Sequence, residues 1–290
     1  MVPNKSNLTI KDNKVNIGIL SGKGGTGKTT VSTNLAVTLN ANYIDCDVEE
    51  PNGFIFLDPK DIKTEQVYVN YPLIDKNKCV GCGKCVKACE FNALAMVNKE
   101  VLLFEQLCHD CGVCQYVCDY DAITYQERVL GIIDEGTYNN LTCKRGVLNI
   151  GEPMAVPIIK ELLKGLENGL NILDFAPGTS CNVVNSLLNT NFAILVTEPT
   201  EFGLHDLKMA VQLVREFNIP LGVIVNKHIE GENMVRDYCK DEGIVVLGEI
   251  PYSKVAAEAY STGKMLIELP EYKKIFEEIA KKIKEVFPWN

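Results

Sequence analysis

The stretch that decides the fold is Val15-Asn16-Ile17-Gly18-Ile19-Leu20-Ser21-Gly22-Lys23-Gly24-Gly25-Thr26-Gly27-Lys28-Thr29. Its first six residues are a short, mostly apolar run that predicts a buried strand. A glycine-rich turn follows, and the pattern from about residue 28 to residue 40 predicts a helix. The turn fits G-x-x-x-x-G-K-[ST] without a mismatch, and it lies between a strand and a helix, as this phosphate-binding motif requires. A glycine-rich turn that arose by chance is the alternative.

The turn has the chemistry that phosphate oxygens need. Its glycines allow backbone N–H groups to converge on an anion without Cβ clashes. The N-terminus of the following helix adds partial positive charge. We expect Lys28 to reach the β- and γ-phosphates of a nucleotide and Thr29 to ligate Mg²⁺.

Length and composition exclude several classes of protein. The chain has 290 residues, of which 46% are hydrophobic, so it can bury a full core. It has no apolar run of eighteen residues and no secretion signal at its start, so membrane association is not expected and a cytoplasmic location is. The net charge of −9 argues against nucleic acid as a partner.

Strand and helix patterns alternate regularly in the second half of the chain. Helices over 153–167, 181–189, 203–217 and 230–242 precede strands over 170–175, 192–197, 220–226 and 244–250, and two helices follow. This alternation predicts an α/β fold with a mostly parallel, doubly wound sheet. The polar first fourteen residues predict a lead-in or an edge strand, and a second strand is expected at 43–47. The chain up to about Tyr71 looks loop-rich with short strands, and a strand returns at 129–133.

Eight of the twelve cysteines fall between Cys79 and Cys118. Both halves of this segment read C-x₂-C-x₂-C-x₃-C, with an offset of 29 residues. This is the ligand run of bacterial two-cluster ferredoxins, in which the fourth cysteine ligates the other cluster. The expected sets are Cys79, Cys82, Cys85 and Cys118 for one [4Fe–4S] cluster and Cys108, Cys111, Cys114 and Cys89 for the other. Zinc is the alternative metal, because C-x₂-C pairs also build zinc sites.

The cysteine segment divides the chain. We expect a nucleotide-binding domain formed by residues 1–72 and 128–290, and a small α+β ferredoxin-type module over 73–127 inserted into it.

The phosphate loop contains a second lysine, Lys23, directly after its first glycine. The loop therefore resembles the deviant Walker A signature K-G-G-x-G-K-[ST] of the MinD and nitrogenase iron protein class of P-loop ATPases. In that family the early lysine crosses a dimer interface and contacts the partner's nucleotide. The resemblance implies an ATP-sandwich homodimer, or pairing with a related ATPase chain.

Other positions resemble the family one at a time. Asp47 matches the switch-I acid that positions the attacking water, and Asp174 matches the Walker B acid that holds the Mg²⁺ hydration shell. Gly178 matches the switch-II glycine that senses the γ-phosphate, Asn226 the adenine-reading asparagine and Pro251 the loop beside the base. Taken alone, a carboxylate at a strand end is as readily a helix N-cap. The implied catalytic residues are Lys23, Lys28, Asp47 and Asp174. The implied ATP-binding residues are Gly22, Lys23, Gly24, Gly25, Thr26, Gly27, Lys28, Thr29, Thr30, Gly178, Asn226 and Pro251.

As a whole, the chain resembles MinD-superfamily ATPases that contain an inserted ferredoxin domain. The resemblance implies an ATPase with two [4Fe–4S] clusters that couples its nucleotide state to electron transfer with a redox partner protein. An iron–sulfur cluster carrier is the first alternative, and a MinD-like positioning ATPase that senses redox state is the second.

Two further patterns leave alternatives open. Cys181 follows Asp174 at the offset of a cluster cysteine in the nitrogenase iron protein, so Cys143 and Cys181 could hold a cluster between subunits, or could be ordinary packed residues. The apolar stripe from Tyr272 to Phe287 is expected to pack on the sheet, while a membrane-binding helix is the alternative.

Overall fold

The computed structural model describes residues 14–231 and 233–289. The predicted lead-in or edge strand over the first fourteen residues lies almost wholly outside this range. The described elements, in chain order, are β1 (Lys14–Leu20), α1 (Lys28–Leu39), β2 (Asn42–Asp45), α2 (Gly53–Leu57), β3 (Lys60–Ile74), α3 (Lys84–Ala88), β4 (Leu94–Val97), β5 (Glu100–Leu103), α4 (Val113–Tyr116), β6 (Ile123–Tyr138), β7 (Leu141–Leu148), α5 (Val156–Lys164), β8 (Gly169–Asp174), α6 (Cys181–Leu187), β9 (Phe192–Thr197), α7 (Glu201–Glu216), β10 (Leu221–His228), α8 (Met234–Asp241), β11 (Val245–Pro251), α9 (Lys254–Ser261) and α10 (Pro270–Val286).

The main sheet has the order β11-β10-β9-β1-β8-β2-β7-β6-β3. Its strands from β11 to β7 are parallel, and β6 and β3 add an antiparallel pair at one edge. Helices cover both faces, and each face has its own apolar core. The predicted mostly parallel, doubly wound α/β fold is therefore confirmed.

The segment before the cysteines differs from the prediction. Instead of a loop-rich stretch up to about Tyr71, the chain forms the fifteen-residue strand β3, and the short strand expected at 129–133 is the sixteen-residue β6. The two pair along their whole length, from Lys60 opposite Thr137 to Ile74 opposite Ile123. Strand β7 and helix α2 were not predicted. A two-residue turn, in which Asn139 has φ +53°, joins β6 to β7.

The β3–β6 ribbon extends past the sheet at the edge where ligands bind in such folds. Leu148, the last residue of β7, pairs with Gly131, so among the described strands only β3 pairs with the part of β6 before Leu130. Since β7 is parallel to β2, this overhang projects from the carboxyl ends of the parallel strands, which is where open α/β sheets bind ligands. The domain boundaries expected at 72/73 and 127/128 fall inside these two continuous strands.

The cysteine segment lies at the far end of the ribbon and has small apolar clusters of its own. Its structure repeats as its sequence does. Residues with positive φ recur at the 29-residue offset: Gly81 and Asp110, Gly83 and Gly112, Asn92 and Asp121. Between the two halves, β4 and β5 form a separate two-stranded sheet. The segment is a small α+β unit joined to the main sheet through the ribbon.

The C-terminal helix α10 packs against the main sheet, as expected. Its apolar residues Tyr272, Phe276, Ile279 and Ile283 are almost completely buried in the core. In residues 14–231 and 233–289, no helix has the length and apolar character needed to cross a membrane.

Candidate nucleotide site and cysteine cavities

A cavity of about 430 Å³ lies at the carboxyl edge of the sheet, around the glycine-rich turn. This volume is in the usual range for small-molecule sites. The apolar end of the cavity is formed by Ile250, Tyr252, Ala256, Tyr260 and Leu266. Eleven of the predicted site residues line it: Lys23, Gly24, Gly25, Thr26, Gly27, Lys28, Thr29, Thr30, Asp47, Asn226 and Pro251.

The remaining predicted residues lie behind the wall of the cavity. Gly22 packs against α7, where an added Cβ would come within 2.4 Å of the Asp206 carbonyl oxygen. The Gly178 N–H donates to the Ser21 carbonyl oxygen at 2.9 Å, so the segment expected to sense a γ-phosphate is held against the start of the turn. Asp174 is completely buried and is linked to the cavity by its ion pair with Lys28.

At one position, the glycine-rich turn has a backbone conformation and a close contact that only glycine allows. Gly27 has φ +84°, and a Cβ there would come within 2.1 Å of Nδ2 of Asn226. That nitrogen donates to the Thr26 carbonyl oxygen at 2.7 Å, so Asn226 supports the turn as well as lining the cavity. The Thr26 hydroxyl is buried and has no hydrogen-bond partner among the residues that the structure describes. A buried hydroxyl without a partner is costly, and a polar ligand in this cavity would satisfy it.

Lys28 and the acids form a buried network below the turn. The Lys28 Nζ lies 2.5 Å from Oδ1 of Asp174. The Tyr43 hydroxyl is 2.9 Å from Oδ2 of Asp174 and 3.1 Å from Oδ2 of Asp45. Asp45 also accepts from the backbone N–H groups of Asp47 and Gly53, which fixes the loop after β2. Sequence analysis missed Tyr43, because it looks like one more apolar residue of a buried strand.

Burial sets the proton affinities in this network. Burial, reinforced by the charge of Asp174, raises the pKa of Asp45 to about 7. Burial also raises the pKa of Asp47 to about 6, against the pull of Lys28. Burial alone would lower the pKa of Lys28, but the charge and hydrogen bond of Asp174 together with the charges of Asp45 and Asp47 outweigh it, and the net shift is upward. Lys28 is therefore a permanent cation, as phosphate binding requires, while Asp47 is ionised at neutral pH.

Lys23 stands on the open side of the turn. Its Nζ is 3.6 Å from Oε2 of Glu198, which Lys227 also contacts at 2.5 Å through Oε1. The Nζ of Lys227 also donates to the Gly25 carbonyl oxygen at 2.9 Å. Sequence analysis missed Glu198 and Lys227. The sequence signal that could have found them is their position at the carboxyl ends of predicted parallel strands, Glu198 just after β9 and Lys227 near the end of β10.

The eight clustered cysteines form two groups, each around its own small cavity. The first cavity is lined by Cys79, Cys82, Cys85 and Cys118, and the second by Cys89, Cys108, Cys111 and Cys114. The fold thus places the fourth cysteine of each run with the first three of the other, as the crossed arrangement predicts. In the described part of the chain, no three His, Cys, Asp or Glu side chains converge as closely as a single metal ion requires.

Comparison with known proteins shows the family to which the chain belongs. Residues 17–267 match the CobQ/CobB/MinD/ParA nucleotide binding domain family. The chain belongs to this family.

Several known proteins resemble the chain over nearly its full length. An uncharacterized protein of Methanocaldococcus jannaschii is 33% identical over 272 residues, which cover 91% of this chain and 96% of the relative. An iron-sulfur cluster carrier protein of Aquifex aeolicus is 27% identical over 297 residues, covering 93% and 67%. Among solved structures, the septum site-determining protein MinD of Pyrococcus horikoshii, complexed with Mg-ADP, superposes with a TM-score of 0.59 at 20% identity, covering 95% and 98%.

The four cysteines outside the module differ in accessibility. Cys46, Cys143 and Cys239 are buried, and Cys181 is exposed at the start of α6. Cys143 lies inside β7 with no exposed surface, and burial raises the pKa of its thiol to about 12. The hypothesis of a cluster shared between subunits by Cys143 and Cys181 is therefore wrong for Cys143, because a fully buried thiol cannot reach a second subunit.

Proposed function

We propose that this CobQ/CobB/MinD/ParA family member is a dimeric MgATP-hydrolysing protein that couples its nucleotide state to electron transfer through two [4Fe–4S] clusters. One observation carries the proposal. The ribbon that bears both cysteine cavities overhangs the same edge of the sheet that carries the nucleotide cavity. The γ-phosphate position and the proposed clusters thus lie on the same side of the molecule.

Each charged residue of the nucleotide site has a distinct role in hydrolysis. Lys28 leaves Asp174 and neutralises the β- and γ-phosphates, and the Thr29 hydroxyl together with Asp174 would hold Mg²⁺. Asp47, ionised above about pH 6, positions the attacking water. The metal ion supplies charge neutralisation at the phosphates.

Lys23 is the residue that leads us to propose a second subunit. Its side chain is 36% exposed, and its one ion pair with a described residue is the 3.6 Å contact with Glu198, so it can change position without disturbing the core. In the sandwich dimer that we propose, Lys23 neutralises the nucleotide of the partner. The partner is a second copy of this chain or a related ATPase chain.

The cysteine cavities fit iron–sulfur cubanes. Four thiols surround each cavity. Among the described residues, no cluster of three or more His, Cys, Asp or Glu side chains is close enough to hold a single metal ion. Thiolates are the usual ligands of [4Fe–4S] clusters, each of which carries one electron at a time. Four cysteines per cluster leave no open coordination position, which favours retention of the cluster and hence electron transfer with a redox partner protein.

Cluster carriage is the second candidate, and the relatives named iron-sulfur cluster carrier proteins favour it. The two functions differ in how firmly the iron is held. A carrier releases its cluster to an acceptor, whereas an electron-transfer protein keeps it through many turnovers. Outside the cysteine module, the one exposed cysteine among the described residues is Cys181, so labile bridging ligands are scarce.

Anaerobic reconstitution tests the proposal. We expect eight iron atoms per chain, and a reductive titration followed by EPR in which MgATP shifts the midpoint potentials or the spectra. Lys28→Ala is the control, since it removes the nucleotide response and leaves the clusters. Spectra and potentials that do not respond to MgATP contradict coupling. Rapid transfer of iron to an apo-ferredoxin in the presence of MgATP supports carriage instead.

A further inference from the structure

The two cysteine cavities are not equivalent, although the sequence that forms them is a repeat. The residue at position 96 in the first half corresponds to position 125 in the second, at the 29-residue offset. The first is Met96, and the second is Tyr125. Both lie beside the cysteine loops of their own half: the Met96 methyl group is 3.7 Å from where a Cβ of Gly83 would stand, and Tyr125 lines the second cavity.

Tyr125 adds a hydrogen bond that Met96 cannot make. Its hydroxyl oxygen is 3.2 Å from Sγ of Cys114. When Cys114 is a thiolate ligand, its sulfur can only accept, so the Tyr125 hydroxyl is the donor. A thioether has no proton to donate, and Met96 leaves the first cavity without this interaction.

The helix that carries Cys114 is fixed in front of Tyr125. The Gln115 side chain donates through Nε2 to the Ile123 carbonyl oxygen at 3.1 Å, which ties α4 to the start of β6. At the same offset, the first half has Val86, which cannot make such a bond. The loop of the second half is also tied to β3, because Asp110 accepts from both the backbone and the side chain of Asn70 at 3.0 Å.

The second cavity is also the one closer to the nucleotide-binding sheet. Its ribbon residues are Pro72 and Tyr125, whereas those of the first cavity are Ile74 and Ile123. Two residues along an extended strand correspond to about 7 Å. The first cavity therefore lies at the tip of the ribbon, and the second lies between that tip and the sheet.

We propose that Tyr125 is a potential-setting residue that makes the cluster of the second cavity the higher-potential member of the pair. Hydrogen bonds to ligand sulfurs stabilise the more negative, reduced state of a cluster and so raise its reduction potential. An electron that enters at the tip of the ribbon then moves to the inner cluster and rests there. The inference rests on the proposed clusters and adds the order in which they are reduced.

Tyr125→Phe removes the hydroxyl and keeps the ring. The test uses the full-length protein reconstituted anaerobically, with iron counted per chain and both midpoint potentials measured by EPR-monitored titration. We expect the higher potential to fall by about 59 mV, a tenfold change in a one-electron equilibrium, while the lower potential is unchanged. The matched control is Tyr120→Phe, because Tyr120 lines the first cavity and its hydroxyl makes no hydrogen bond to another described residue.

The outcomes separate this inference from the proposed function. A variant with eight iron atoms and unchanged potentials overturns the role of Tyr125 and leaves the clusters in place. A fall of the lower potential instead of the higher one overturns the proposed order. An equal fall of the higher potential in Tyr120→Phe would show that loss of any nearby tyrosine hydroxyl has this effect. That result also overturns the role of Tyr125. A wild-type protein that binds no cubane iron overturns the proposed function itself.

Discussion

Lys23 is the residue on which the dimer hypothesis depends. We expect Lys23→Ala to lower ATP turnover at least tenfold, about 1.4 kcal/mol of barrier, because the partner's transition state loses a positive charge. Nucleotide affinity of the monomer should change little, since Lys28 is untouched. Steady-state phosphate release and calorimetric ADP titration measure the two effects. Lys76→Ala, which removes an exposed lysine paired with Glu100, is the control. Equal turnover in both variants would contradict the assigned role.

Asp47 gives a pH dependence with a definite sign. Its pKa is about 6 in the folded protein and ordinarily 3.8, so the folded state holds a proton that the unfolded chain has released. The stability of the wild type relative to Asp47→Asn should therefore fall as pH rises from about 4 to about 6, and level off above that. Urea unfolding of the nucleotide-free proteins at a series of pH values measures the difference. A difference that stays constant across this range would show that the Asp47 carboxyl is not buried as described.

The site residues that the sequence predicts differ from those that it does not in what determines their roles. Lys28, Thr29 and the cysteines belong to motifs with a set spacing, so one sequence is enough to find them. Tyr43 and Tyr125 act through hydroxyl groups on ordinary strand residues. Their roles depend on partners such as Asp174, 131 residues away from Tyr43 along the chain, and no local pattern reports such a contact.

At the scale of elements, a polar network holds the ribbon to the sheet. Asp134 on β6 accepts from Thr64 on β3 at 2.6 Å and from Arg145 on β7 at 2.9 and 2.8 Å. Arg145 pairs in register with Asp45 on β2, and its guanidinium lies 4.7 Å from the ring centre of Phe54. These contacts therefore reach from β2 and α2 to the ribbon that carries the cysteines.

Arg145→Met should destabilise the protein by about 2 kcal/mol, because it leaves the buried Asp134 carboxylate without its main partner. The value is below that of a fully buried pair, since Arg145 is 30% exposed. Arg236→Met is the matched control: Arg236 is about half exposed in its pair with Glu249, so we expect a clearly smaller loss of stability. Urea unfolding midpoints measure both. A loss in Arg145→Met no larger than in the control would show that Asp134 is not effectively buried.

Strand β3 shows why part of the fold could not be predicted. Its first seven residues, Lys60–Gln66, are all exposed and largely polar, so they lack the alternation that marks a strand. They are extended because β6 pairs with them, and β6 lies more than fifty residues further along the chain. The central strands, such as β9, are buried on both faces and are recognisable from their own residues. The Asn139-Asn140 turn was a usable signal for β7, since Asn tolerates positive φ in two-residue hairpins.

At the scale of the whole molecule, the nucleotide cavity and the cysteine module share one edge but lie apart along it. From β1 to β6 there are four strand spacings in the sheet order, about 19 Å. The glycine-rich turn after β1 is thus well separated from the ribbon across the sheet. The coupling that we propose then runs through the sheet and ribbon or through the facing subunit of the proposed sandwich dimer.

Cys181 provides a probe of that dimer. It lies three residues after Gly178, beside the nucleotide edge, and is the one exposed cysteine outside the module among the described residues. In the holoprotein, whose module thiols hold iron, we expect maleimide to label Cys181 selectively. MgATP should slow this labelling at least tenfold in Asp47→Ala, which binds but does not hydrolyse ATP, because the partner subunit then covers this edge. Sedimentation velocity should show a dimer under the same conditions.

The controls for this prediction separate closure of the dimer from a local change at the nucleotide. Lys23→Ala, combined with Asp47→Ala, keeps the nucleotide cavity but removes the charge that reaches the partner, so it should remain monomeric and keep Cys181 reactive in MgATP. Cys181→Ser shows that the label reports this thiol. Protection of Cys181 in a chain that stays monomeric would mean that α6 itself moves when ATP binds. Coupling to the clusters would then run within one chain, through β2, β7 and the ribbon.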